Sequence, residues 1–172
     1  MDLRRLLIIY AVFWVGIFIG ALLDLFLGFG FVSVRHVRTM LPIPDFRLFL
    51  GVIIVNFATS IIIFVLGVLS VVVQLVAILA VSAYVGELAF RAGLVVGLVG
   101  IAPHAPLELL GFSFIAYAGQ CRGHGLPYAR YLALGYVLLL VAAVVESTLS
   151  IYVLRLYLTS TLNHRAGIFC VS

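Results

Sequence analysis

Pro103 and Pro106 stand three residues apart inside an apolar run, Gly97–Gly123 (GLVGIAPHAPLELLGFSFIAYAGQCRG), and no continuous helix can accommodate both. Pro103 has no N–H for the carbonyl four residues back, and Pro106 has none for Ala102. The residues before them, Ala102 and Ala105, are steered away from the α region. The spacing therefore predicts two half-helices, about 92–102 and about 106–120, with a break between them. In lipid, the backbone groups freed by such a break must be buried against protein or face a water-filled cavity. The surrounding chain is expected to form the wall around it.

That the setting is lipid follows from composition. The 172 residues are 66% hydrophobic and 9% charged, with a mean hydropathy of +1.35. Ordinary soluble domains do not reach these values. The long apolar runs predict an all-α transmembrane protein of multipass type, a single integral membrane domain over 1–172 with no polar stretch long enough for a second, soluble domain. The expected spans are about 3–27, 48–68, 70–90, the broken segment 92–120, and 127–158. The N-terminal stretch is basic then apolar like a signal peptide, but it is long enough to span and lacks a small-residue cleavage pattern, so it is expected to stay as the first helix.

The net charge of +4 comes from arginine, since the chain has no lysine. Most arginines fall at segment ends, where they anchor helices at the interface, so no nucleic-acid partner is expected. Residues 28–47 form the longest polar connection, with Arg35, His36, Arg38 and Arg47, and Pro42 and Pro44 prevent a single helix there. A short interfacial segment is expected. Counting arginines by side puts Arg4, Arg5, Arg122 and Arg130 against Arg35, Arg38, Arg47, Arg91, Arg155 and Arg165, which favours a cytoplasmic first loop. Cys121 and Cys170 make neither a metal spacing nor a disulfide framework.

Within the spans, polar groups coincide with small residues. Gly16, Gly20 and Asp24 recur every four residues; Asn56, Ser60 and Gly67 share a face; Gly135, Ala142, Glu146 and Ser150 share another. Glu87 and Arg91 are spaced to pair at a helix end. The Gly16xxxGly20 and Gly93xxxGly97 stripes permit close helix approach and predict a homo-oligomer, with a dimer the commonest solution.

The chemistry-bearing candidates are His104, Glu108 and Glu146, with Asn56 as a neutral partner. An isolated carboxylate at the bilayer centre costs about 2.5–3.5 kcal/mol. Neither glutamate has a basic neighbour in its own helix at that depth, so the four residues are expected to converge at the break. Three readings follow. Glu108 caps the second half-helix while His104 bonds a freed carbonyl, a structural role. Alternatively the broken helix binds an ion or solute for transport. Or one histidine and two glutamates ligate zinc, although the H-E-x-x-H pair is absent; no metal, cofactor or catalytic residue is assigned on this pattern.

The motif also resembles a known family. The residues concerned are Asn56 in an apolar helix, Gly100–Phe112 (GIAPHAPLELLGF), the alanine/glycine-rich continuation Ala116–Gly119, and Ala142–Ser147 (AAVVES). Together they resemble the stage II sporulation protein M family of multipass membrane proteins over roughly residues 50–155. Asn56, Pro103, His104, Glu108 and Glu146 match that family's recurring polar positions, while Pro106 departs from its usual glycine-containing form. The resemblance implies a non-enzymatic membrane scaffold or complex subunit in the cell membrane, linked to envelope remodelling and to envelope-protein partners.

Overall fold

The computed structural model describes residues 2–27, 46–91 and 93–169, with side chains as far as residue 160. Among these the chain is helical throughout. The helices are α1 Leu3–Leu27, α2 Phe46–Leu69, α3 Val71–Phe90, α4 Leu94–Ile101, α5 Ala105–Gly123 and α6 Ala129–Val145. A π-helical turn, Glu146–Ser150, follows, and α7 is Ile151–Phe169. Residues 28–45 of the expected interfacial connection, and Cys170, lie outside the described residues.

Four helical stretches are long and apolar enough to cross a membrane: α1, α2, α3 and the continuous run Ala129–Ser160. The pair α4 and α5 passes the same test jointly and is bent by 64° at residues 102–104. The outer surface is apolar, with Leu7, Phe18, Val55, Ile62, Val76, Val137 and Leu140 all exposed. Asn56, Ser60, Gln74, Ser82, Ser113 and Gln120 are buried instead. That inversion is what lipid demands, since polar groups find partners only inside the protein.

Helix α5 is the centre. Thirteen of its residues are buried, from Ala105 to Cys121, so it is enclosed on every side rather than along one stripe. Helices α2 and α6 pack on it directly, α1 touches it, and α1 lies along α3. This buried helix runs three residues past the expected end at 120, to Gly123, with Gln120 buried inside it.

Small residues set the helix spacing. A Cβ on Gly20 would collide with the Ala83 carbonyl and the Glu87 nitrogen, and one on Gly119 would meet the Phe64 carbonyl. At these places backbone rests on backbone. The Gly16/Gly20 stripe is therefore used up against α3 within one chain, and Gly97 against Ala89 and Phe90. Gly93 faces open space but begins α4 at φ +104°, a conformation that side chains resist. Gly16, Gly20 and Gly97 are thus in contact within the chain, and Gly93 is not.

The joins are economical. Ser70 alone separates α2 from α3; its extended backbone interrupts the helix and its hydroxyl accepts the Val73 N–H at 3.5 Å. At the end of α3, Arg91 donates to Glu87 at 2.6 Å, the pairing that the four-residue spacing predicts.

The last helical stretch differs from expectation. It begins at Ala129, just after Pro127, and runs beyond 158 to Phe169 with a π turn inside it. The cause is local: Ser147 donates to the Ala143 carbonyl at 2.8 Å, Thr148 to Val144 at 2.5 Å, and Ser150 to Val145 at 3.3 Å. Hydroxyls that bond back to helix carbonyls compete with the backbone ladder and loosen it. Single π turns of this kind cluster at functional positions.

Candidate functional site at the helix break

Pro103 lies in the turn between α4 and α5, and Pro106 occupies the second position of α5, where its missing N–H costs nothing. His104 is the residue that caps α5, but it caps with its backbone. Its carbonyl accepts both the Leu107 and Glu108 N–H groups at 3.0 Å, and its own N–H donates to Ile101 at 3.2 Å. The break therefore satisfies much of its own backbone and leaves the side chains of His104 and Glu108 free for other partners.

Three of the four predicted site residues meet. One ligand-type atom from each of His104, Glu108 and Glu146 lies within 4.8 Å of the others. His104 Nε2 is 3.9 Å from Glu108 Oε2. Asn56, on α2, reaches the same place: it lines one cavity with the other three and acts on the Glu108 carboxylate. Its Nδ2 is nevertheless buried without a hydrogen bond of acceptable geometry, while the residue as a whole is only 7% exposed. An amide donor in that state is an unfilled binding capacity.

The expected bond from His104 to a freed carbonyl is not the one that forms. His104 Nδ1 pairs with Ser150 Oγ at 2.9 Å. Ser150 lies four residues beyond Glu146, a spacing visible in the sequence, but nothing there marks it as the histidine's partner. It is the π turn that lets Ser150 bond the Val145 carbonyl five residues back. When Ser150 Oγ gives its proton to the Val145 carbonyl at 3.3 Å, it accepts from Nδ1, and in that tautomer Nε2 presents a lone pair.

Two cavities flank the cluster. A groove of about 740 Å³ runs between α1, α2 and α3, and Asn56, His104, Glu108, Glu146 and Arg47 are among the residues that line it. A smaller cavity of about 180 Å³ lies between Leu48, Gly100 and α7, and it too is lined by His104, Glu146 and Ser150. Glu146 sits near the middle of the Ala129–Ser160 stretch, and Asn56 near the middle of α2. Among the described residues no arginine lies within ion-pair distance of Glu108 or Glu146.

Comparison with protein-family models, curated proteins and solved structures finds no match to this chain.

Proposed function

We propose that the chain is an integral membrane protein of the cell membrane that crosses five times, its fourth span broken at Pro103–Pro106. We propose that it serves as a non-enzymatic scaffold subunit of a membrane assembly, in keeping with its resemblance to the stage II sporulation protein M family. The observation that carries this reading is backbone-on-backbone packing. Gly20 on Ala83, Gly119 on Phe64 and Gly111 on Gly135 bring backbone against backbone between α1 and α3, α5 and α2, and α5 and α6, with the Leu139 side chain also against Gly111. Carriers work by rocking one bundle against another. A body locked at three helix pairs suits holding partners better than it suits rocking.

The partners on this reading are other membrane or envelope proteins, a second copy among them, docked on the lipid-facing surface. A photo-crosslinking residue placed at Phe18, Val55 or Val137, all more than half exposed, tests it in the native membrane. Discrete protein adducts from one face are expected. Adducts with lipid alone at all three positions would exclude the subunit role.

A second reading, a small ion or solute carrier or channel, is favoured by one observation: the two cavities meet at His104 and Glu146. Reconstituted vesicles decide between the two. On the carrier reading Glu108→Gln abolishes flux and leaves thermal stability nearly unchanged. On the scaffold reading the wild-type protein carries no specific flux.

A further inference from the structure

We propose that His104 Nε2 and the carboxylates of Glu108 and Glu146 bind one divalent first-row transition-metal ion, with zinc as the type case. The proposal goes beyond both functional readings and depends on neither, because metal binding is read at equilibrium without flux or partner.

The donor set comes from three separate places: the break, the first turn of α5 and the π turn. Its ligand atoms lie within 4.8 Å of one another. Zinc takes nitrogen and oxygen ligands at about 2.0–2.2 Å, so tetrahedral ligands stand about 3.4 Å apart. Binding requires side-chain rotation to close a remaining gap of up to about 1.4 Å. Metal-ligating histidines characteristically give their other ring N–H to a fixed acceptor, which sets the tautomer. The pairing of His104 Nδ1 with Ser150 Oγ at 2.9 Å provides for that arrangement, with Nδ1 as donor and Nε2, 3.9 Å from Glu108 Oε2, as the ligating nitrogen.

A neutral imidazole beside two carboxylates leaves repulsion that is relieved when a carboxyl is protonated or a cation lies between them. Among the described residues no arginine fills that position; Arg47 lines the groove without pairing to either glutamate. Two carboxylates and a neutral imidazole carry the charge that one divalent ion cancels, and the cost of leaving charge unpaired in a lipid-embedded site is high.

Asn56 supplies the independent sign of a ligand. Its Nδ2 is buried without a hydrogen bond, and the residue lines the same cavity. That amide lies beside the Glu108 carboxylate, placed to serve a metal-bound Glu108 as an outer-shell donor. The imidazole selects against calcium and magnesium, which prefer all-oxygen shells.

The test uses the full-length protein in mild detergent, stripped with a chelator and then titrated with zinc against a chromophoric competitor. The expected result is one zinc per chain, a raised unfolding temperature, and cobalt substitution giving the absorption bands of a nitrogen- and oxygen-ligated site. Glu108→Gln and Glu146→Gln are expected to abolish stoichiometric binding. Ser150→Ala keeps all three ligands and removes only the bond to Nδ1. It should weaken binding about 10–100-fold with elution volume and helix content unchanged, which keeps the proposal falsifiable should a glutamate variant fail to fold. Wild-type protein that takes up no zinc overturns the proposal, and so would a proton or Arg47 acting as the sole counter-charge. Undiminished zinc in both glutamine variants, or in Ser150→Ala, overturns it equally.

Discussion

Gln74 of α3 and Gln120 of α5 interlock at the opposite end of the bundle from the break. Gln120 Nε2 donates to Gln74 Oε1 at 2.8 Å, while Gln74 Nε2 donates to the Ile63 carbonyl at 2.8 Å and to the Ala116 carbonyl at 3.0 Å. Both side chains are almost wholly buried. One amide thus ties α2, α3 and α5 together beside the Ser70 join. The bundle has two polar pins, one at each end of α5, and only the pin at the break leaves polar capacity unused.

Replacing Gln74 by leucine strands the Gln120 amide and should destabilise the fold by about 1–3 kcal/mol. The double variant Gln74→Leu with Gln120→Leu should recover part of that loss, because removing both partners is far cheaper than removing one. Unfolding in mixed detergent checks it. A double variant worse than the sum of the singles would refute the pairing.

Gly20 and Gly51 make a matched pair of tests. Gly20→Ala places a methyl against the backbone of Ala83 and Glu87, where neither side can yield cheaply, and should cost about 1–3 kcal/mol. Gly51→Ala meets nothing within 4 Å and should be neutral or stabilising by up to about 1 kcal/mol, the helix preference of alanine over glycine. Equal effects from the two would show that α1 and α3 are not in backbone contact.

In metal-free protein, Glu108→Gln retains the shape and hydrogen-bonding capacity at the break and should leave thermal stability close to wild type. Glu108→Ala removes the group facing Asn56 and His104 and should lower stability by about 1–3 kcal/mol. Thermal unfolding followed by circular dichroism separates them. Loss of fold in the glutamine variant would mean that the charge itself, rather than the shape, holds the break.

Topology can be read by cysteine labelling in a background without native cysteines, since Cys121 is buried and should resist maleimide until the protein is denatured. Arg91→Cys and His124→Cys bracket α4 and α5. Labelling from opposite faces is expected of a broken span; labelling of both from one face would make the bent pair re-entrant. His124→Cys and Thr159→Cys bracket the last stretch and are expected on opposite faces.

The break is legible in the residues themselves because proline chemistry is local. Pro103 and Pro106 forbid helical hydrogen bonds whatever surrounds them, and the bend lies at residues 102–104. The ends of α1, α2 and α3 are legible to within about two residues for the same kind of reason, the length of apolar runs between polar or small residues. The convergence of His104, Glu108 and Glu146 follows from the cost of a lone carboxylate in lipid, and the geometry places the three together. The role of Gln74 is invisible in the sequence, because its partners are 11, 42 and 46 residues away.

Some features of this protein are decided within one segment: helix from apolar length, a break from two prolines, the Glu87–Arg91 pair from a four-residue spacing. Which surfaces meet is decided only when the segments pack. A stripe such as Gly16 and Gly20 fits any close-packing helix equally well, and only the folded chain spends it on Ala83 and Glu87 rather than on another copy. The surroundings of the His104 ring likewise depend on Ser150, 46 residues away in the π turn. Local rules fix where a helix starts, bends and stops; the energy of a buried polar group depends on which distant partner the fold brings to it.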